Sequence, residues 1–230
     1  ARKSNAVDFE HELRLDRRLA LRLAVGFHLP TQESLGLRMA GMKDRYQLGL
    51  TLRPTRQDAF QIDYRAEKYA LQNGTAVGRG RHLELSFSHA LRQDTPDLEV
   101  GLFWSRHAYE RESDFSASGF NLLNEFLPAA IPSPVNLGRD YFLPEDFSLS
   151  GVRLSSNMRY AREYTRAVRP YGSVARTWHS RTGGGYDVRL GVAGSVVGAD
   201  RLGLDLGVAK SGAQSAGLVK DVQFNYRLHF

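Results

Sequence analysis

The stretch Leu218-Val-Lys-Asp-Val-Gln-Phe-Asn-Tyr-Arg-Leu-His-Phe230 decides the fold. Apolar side chains stand at Leu218, Val222, Phe224, Tyr226, Leu228 and Phe230, with Asp221, Gln223, Asn225, Arg227 and His229 between them. Successive side chains of a strand point to opposite faces, so one face here is apolar and the other polar. In a soluble sandwich a second layer would have to cover that apolar face. A strand closing a barrel in a bilayer needs no second layer, because lipid covers it.

The same alternation runs back through the chain. Val7, Phe9, Leu13 and Leu15 oppose Asp8, Glu10, Glu12 and Arg14. Leu19, Leu21, Leu23, Val25 and Phe27 oppose Ala20, Arg22, Ala24, Gly26 and His28 up to Pro30. Leu35, Leu37 and Met39 oppose Gly36, Arg38 and Ala40, and Lys43-Asp44 reads as a turn. Further strands are read over residues 46–53, 60–67, 83–91, 98–105, 152–160, 170–179, 186–196 and 202–209. In 170–179 an inward Arg176 takes Gly172, Val174 and Trp178 with it and leaves Tyr171, Ala175 and Thr177 facing lipid.

These segments give an all-β, antiparallel transmembrane barrel of about twelve strands, each near the ten residues that a tilted strand needs to cross a bilayer. The 230 residues then form a single barrel domain, interrupted by a long extracellular loop at about 110–150. A terminal Phe after alternating apolar residues resembles the assembly signal of bacterial outer-membrane barrels. Phe224, Tyr226, Leu228 and Phe230 carry that signal, which implies the barrel assembly machinery as a partner.

Composition excludes several alternatives. No run of about 18 apolar residues is present, so no transmembrane helix is expected. With no Cys there is neither a disulfide nor a thiolate metal site, and no metal or cofactor is implied. Net charge is +6, but 31 basic residues interleave with 25 acidic ones, which argues against nucleic acid. The first residues, Ala-Arg-Lys-Ser, carry no apolar signal segment, so a signal peptide is expected to be removed or to lie upstream.

Nearly all the charges share one parity, which spares lipid-facing charge costs of roughly 2–4 kcal/mol each. That parity places Arg22, Arg38, Arg53, Arg65, Arg153, Arg159, Arg176 and Arg189 in the lumen. It places Asp63, Glu67, Glu84, Glu99, Asp187 and Asp205 beside them. Many of these would pair across strands and hold the barrel's shape. A lumen so balanced suits a polar, weakly charged substrate better than one ion sign. Phe103 and Trp178, with His28, are the flat inward groups on which sugar rings could stack, and inward glycines leave room. Phe120, Leu123, Phe126, Pro128 and Pro132 make the long loop apolar and stiff, as a gate at the outer mouth would be.

A hydrolase is the rival reading. His82, His89, His107 and His179 lie near Ser86, Ser88, Ser105 and Ser180, but no G-x-S-x-G or H-E-x-x-H string occurs. A narrow solute porin is a third.

The runs Tyr171-Gly-Ser-Val-Ala-Arg-Thr-Trp178 and Gly185-Tyr-Asp-Val-Arg-Leu-Gly191, with the closing strand, resemble the C-terminal barrel of PelB-like exopolysaccharide export porins. The PgaA and BcsC exporters are similar in plan. The likeness is clearest over residues 150–230. It implies passive export of a Pel-like polysaccharide through the outer membrane, without catalysis. It further implies a periplasmic tetratricopeptide scaffold upstream in the same protein and a PelC-like lipoprotein ring. About sixteen strands are expected by resemblance, so up to four would lie outside this chain.

Overall fold

The computed structural model describes residues 5–31, 33–112, 142–161, 163–195, 200–210 and 218–228. Its elements are β1 (Val7–Arg14), β2 (Leu19–Leu29), α1 (Leu35–Ala40), β3 (Gly41–Leu52), β4 (Asp58–Leu71) and β5 (Ala76–Arg92). They continue as β6 (Leu98–Arg111), β7 (Phe147–Ser156), a 3-10 turn (Met158–Ala161), β8 (Arg169–His179), β9 (Gly183–Gly194), β10 (Asp200–Lys210) and β11 (Leu218–Leu228). The eleven strands form one sheet in chain order. Every registered pair is antiparallel.

Register explains the two faces. In the β10–β11 pair, Leu202, Leu204 and Leu206 stand opposite Tyr226, Phe224 and Val222, while Asp205 and Gly207 stand opposite Gln223 and Asp221. Apolar rows therefore continue from strand to strand on one face, and charged rows on the other. Phe224 is 68% exposed and Tyr226 53%, as side chains that meet lipid must be. Phe230 lies outside the described residues, as does the side chain of Leu228. Phe224→Arg is expected to cut insertion of the barrel sharply, since a cation at the bilayer midplane costs about 2–4 kcal/mol. The yield of heat-modifiable, folded protein in outer membranes measures this; normal yield would show that β11 does not face lipid there.

One expected strand is a helix. Residues 35–40 form α1, because the Ser34 hydroxyl accepts from the Leu37 backbone N–H at 3.1 Å and caps the first turn. Arg38 is thus an exposed helix residue and not a strand residue. Lys43 and Asp44 lie inside β3, not in a turn. The connection from β2 to β3 spans 30–40, which moves the 15–18 turn to the strand ends opposite the 112–146 connection. A register shift between Gly26 and Leu29 adds a bulge at His28. His28 has φ 54° and donates its backbone N–H to Asp44 Oδ1 at 2.9 Å; it is not an inward ring.

The chain divides into two compact units. The first comprises Ala1–Leu52, Gln61–Glu84 and Arg106–Phe147. Its core is Leu37 of α1 against Tyr69, Leu71, Val77, Tyr109, Phe142 and Leu143, with Phe147 packed alongside. The second comprises Arg53–Phe60, Leu85–Ser105 and Ser148–Phe230. There the connections at 93–97 and 157–168 are tied together. Asn157, with φ 56°, accepts from the Asp97 backbone N–H at 3.1 Å and donates its own N–H to the Asp97 carboxylate. Its Nδ2 donates to the Pro170 carbonyl at 3.1 Å, and Ser156 Oγ to the Asp97 carbonyl at 2.6 Å.

Candidate functional site: the charged inner face

In the first unit, β1 to β5 alternate so that acids and bases meet across strands. Asp8 faces Gly26, which faces Arg45, and the bare glycine lets Arg45 reach Asp8 at 2.8 Å. Arg22 pairs with Glu10 at 2.8 Å. Arg65 binds Glu84. Buried Asp63 accepts from Gln47 Nε2 at 3.0 Å, and its carboxylate occupies the space where Gly49 lacks a side chain. Nearer to α1, Lys43 bridges Glu33 at 3.0 Å and the fully buried Glu67 at 2.9 Å. Glu67 also holds Tyr69 and, at 3.2 Å, His82. His82 Nδ1 lies 2.6 Å from His107 Nδ1, and His107 stacks on Phe147. Apolar α1 and Phe142-Leu143 therefore cover a buried polar layer on the same face.

In the second unit, Glu99, Arg153, Asp187 and Arg189 line a pocket of about 340 Å³ with Ser155, Ser173 and Met158. Two carboxylates and two guanidiniums leave it without net sign. Phe103 lies over Gly151, with the Arg153 guanidinium 5.5 Å from its ring centre. Tyr171 donates to Asp205 Oδ1 at 2.7 Å, and its ring occupies the space above Gly191. These glycines do not leave open lumen; they seat a neighbour's large side chain.

Four further residues read as lumen groups sit elsewhere. β8 has the opposite parity from that expected: Tyr171, Ser173 and Ala175 are buried, while Val174 and Trp178 are exposed. Arg176 and Trp178 therefore belong to the apolar face. There they stand near the end of β8 with the guanidinium 6.0 Å from the Trp178 ring centre. A long cation can stay at that depth because it reaches the polar boundary. Arg159 belongs to the 3-10 turn, not to a strand; it donates to Thr95 Oγ1 at 2.7 Å. The Thr95 hydroxyl, helped by Arg159, holds the Tyr160 phenol below its ordinary pKa. Arg53 follows the end of β3 and is exposed. Tyr171, Lys43, Tyr69 and Tyr109 are inner groups that the pattern reading missed. Glu67, which contacts Lys43 and Tyr69, is the inward acid that signals those two.

The four imidazoles do not form one cluster: His107 shares the buried layer with His82, and the other two stand apart. His82 joins the buried layer, and His89 Nδ1 meets Asp58 Oδ1 at 2.7 Å. His179 Nδ1 accepts from the backbone of Arg181 at 3.2 Å and of Thr182 at 3.3 Å, which shapes the β8–β9 turn. The candidate gate residues Phe120, Leu123, Phe126, Pro128 and Pro132 lie outside the described residues.

A solved structure, a bacterial polysaccharide outer membrane secretin, superposes with a TM-score of 0.64 over 98% of this chain and 69% of that one, at 10% identity. The outer membrane channel DcaP of Acinetobacter baumannii superposes with a TM-score of 0.50 over 95% of this chain and 60% of its own, also at 10% identity. Both have the fold of this chain. No curated protein matches it. The family model for the PelB C-terminal beta barrel domain matches residues 1–229, and the chain belongs to that family of outer-membrane β-barrels.

Proposed function

We infer that this barrel is a pore that conducts a Pel-like exopolysaccharide across the outer membrane. The observation that carries the reading is the family match over nearly the whole chain, on a barrel whose inner rows are charge-balanced. Paired acids and bases with hydroxyl groups give a hydrated wall that grips neither ion sign, as a sliding sugar polymer needs. The 112–146 connection is placed outside, following the rule that long loops of bacterial barrels face outward. On that orientation α1 with Phe142 and Leu143 narrows the outer end of the path. An upstream periplasmic tetratricopeptide scaffold and a PelC-like lipoprotein ring would deliver the polymer from the other end. Removing the barrel from a producing strain should trap polysaccharide in the periplasm, and restoring it should return the polymer to the medium. Undiminished export without the barrel would refute the reading.

Passive conduction also requires no nucleophile. His89→Ala and His179→Ala are expected to leave export within about twofold of wild type, because His89 serves one half-buried contact and His179 one turn, each worth roughly 1 kcal/mol. Loss of export with normal barrel levels, from either change, would favour the hydrolase.

A further inference from the structure

Four cations stand where the sheet's apolar face should continue. On β4, Ile62 and Tyr64 are exposed to lipid, and Lys68 follows on the same parity. On β5, Arg79 and Arg81 precede Leu83 on that parity. On β6, Arg106 shares it with Glu110. All four cations are exposed. The backbone bond from Glu112 N to the Val77 carbonyl, at 3.1 Å, sets β6 beside β5, and Arg81 reaches Glu110 at 2.9 Å. With strands about 4.8 Å apart and same-face residues about 7 Å apart, the group spans roughly 15 Å.

Bilayer depth explains where this patch lies. A tilted strand crosses the hydrocarbon with about 9–11 residues. β5 has 17, so its first residues, including Arg79 and Arg81, stand clear of the hydrocarbon. The patch then sits at headgroup level, directly above the apolar surface made by Tyr64 and Leu83. Glu110 answers one of the four cations, and Glu112 lies beyond, past the end of β6.

We propose that Lys68, Arg79, Arg81 and Arg106 form a docking site for a bis-phosphorylated lipid. The phosphates lie against the cations, and the acyl chains cover Ile62, Tyr64 and Leu83. Charge complementarity selects this occupant. Three cations not answered by Glu110 match two phosphates, each carrying up to about −1.5 to −2. Guanidiniums also bind phosphate through two parallel N–H donors. The proposal rests on the membrane-spanning fold and not on the identity of the exported polymer.

The test uses the full chain purified in neutral detergent, with bis-phosphorylated lipid A, monophosphorylated lipid A and inorganic phosphate as probes, read by native mass spectrometry. The expected result is tightest retention of the bis-phosphorylated lipid, weaker retention of the monophosphorylated one and none of inorganic phosphate. The triple variant Lys68→Gln, Arg79→Gln, Arg106→Gln should lose at least about tenfold in lipid affinity, as removal of three charge-assisted contacts demands. Arg92→Gln, at the other end of β5, should lose none. High salt should weaken wild-type binding, since an exposed cluster is screened. Equal retention by wild type and triple variant overturns the proposal. So does indifference to phosphate number, or binding of inorganic phosphate as tight as that of the lipid. If the triple variant fails to fold, lipid affinity of the wild type that is unchanged by salt overturns it equally.

Discussion

Gly191→Val should block assembly of the barrel, and Tyr171→Gly in the same chain should restore it. An ideal Cβ at Gly191 would lie 2.4 Å from two carbons of the Tyr171 ring. The ring has little freedom to move, since Tyr171 is 3% exposed and its hydroxyl donates to Asp205. Tyr171 and Gly191 are cross-strand partners in the β8–β9 pair, so no slip of one residue relieves the clash without turning both faces over. Overpacking of this kind costs about 1–3 kcal/mol where neighbours can adjust, and more where they cannot. Removing the ring from the double variant eliminates the clash, so the two changes should couple by about 1–3 kcal/mol. Heat-modifiable migration and denaturant midpoints of the refolded barrel measure both effects. An ordinary barrel from the Gly191→Val single variant would show that the ring lies elsewhere.

Leu37→Ala should open the path that α1 covers. Leu37 is wholly buried among Tyr69, Leu71, Tyr109, Phe142 and Leu143 and is the apolar anchor seen for this short helix. Truncating a buried Leu costs about 2–5 kcal/mol. Every 1.4 kcal/mol shifts a docked-to-released ratio about tenfold, so the helix should be released for much of the time. The strands do not depend on Leu37, and circular dichroism should keep its β spectrum. Single-channel conductance in planar bilayers should rise, and cells should take up bulky antibiotics faster. Unchanged conductance with a folded barrel would remove α1 from the path. Export should persist, because a wider opening still passes polymer.

Most of the strands were readable because they carry several alternations with most of their mid-strand charge on one parity. Leu19 to Phe27 against Ala20 to Gly26 is such a case. Residues 35–40 were too short for that test: three alternations fit a strand and a single capped turn equally, and the Ser34 cap decided between them. β8 failed for another reason. Both of its faces carry apolar groups, so parity rested on Arg176 alone. A charge marks the inner face only at mid-membrane depth; near a strand end a guanidinium can escape to water. The same depth argument accounts for Arg53 and Arg159, which lie past strand ends. The acid-base content of the lumen was legible at Arg22, Asp63, Glu67, Arg153 and Asp187. Their partners were not, since pairing depends on register, and register is a property of two strands. The glycines show this most directly. Gly49, Gly151 and Gly191 look like vacancies in one strand and become seats for Asp63, Phe103 and Tyr171 only when the neighbour is aligned.

The ties among Asp97, Asn157, Pro170 and Ser156 have a mechanical meaning. A polymer pushed through a pore drags on the wall, and a wall of independent hairpins would take that force one hairpin at a time. Here the 93–97 and 157–168 connections share hydrogen bonds, and Arg201 of β10 adds two more, donating to the Tyr160 carbonyl at 2.7 Å and the Glu163 carbonyl at 3.2 Å. Tension on any one of these connections is thereby distributed over β6, β7, β8 and β10. The rim acts as a stitched hem, and cutting a single thread such as Asn157 should let it fray before the barrel itself gives way.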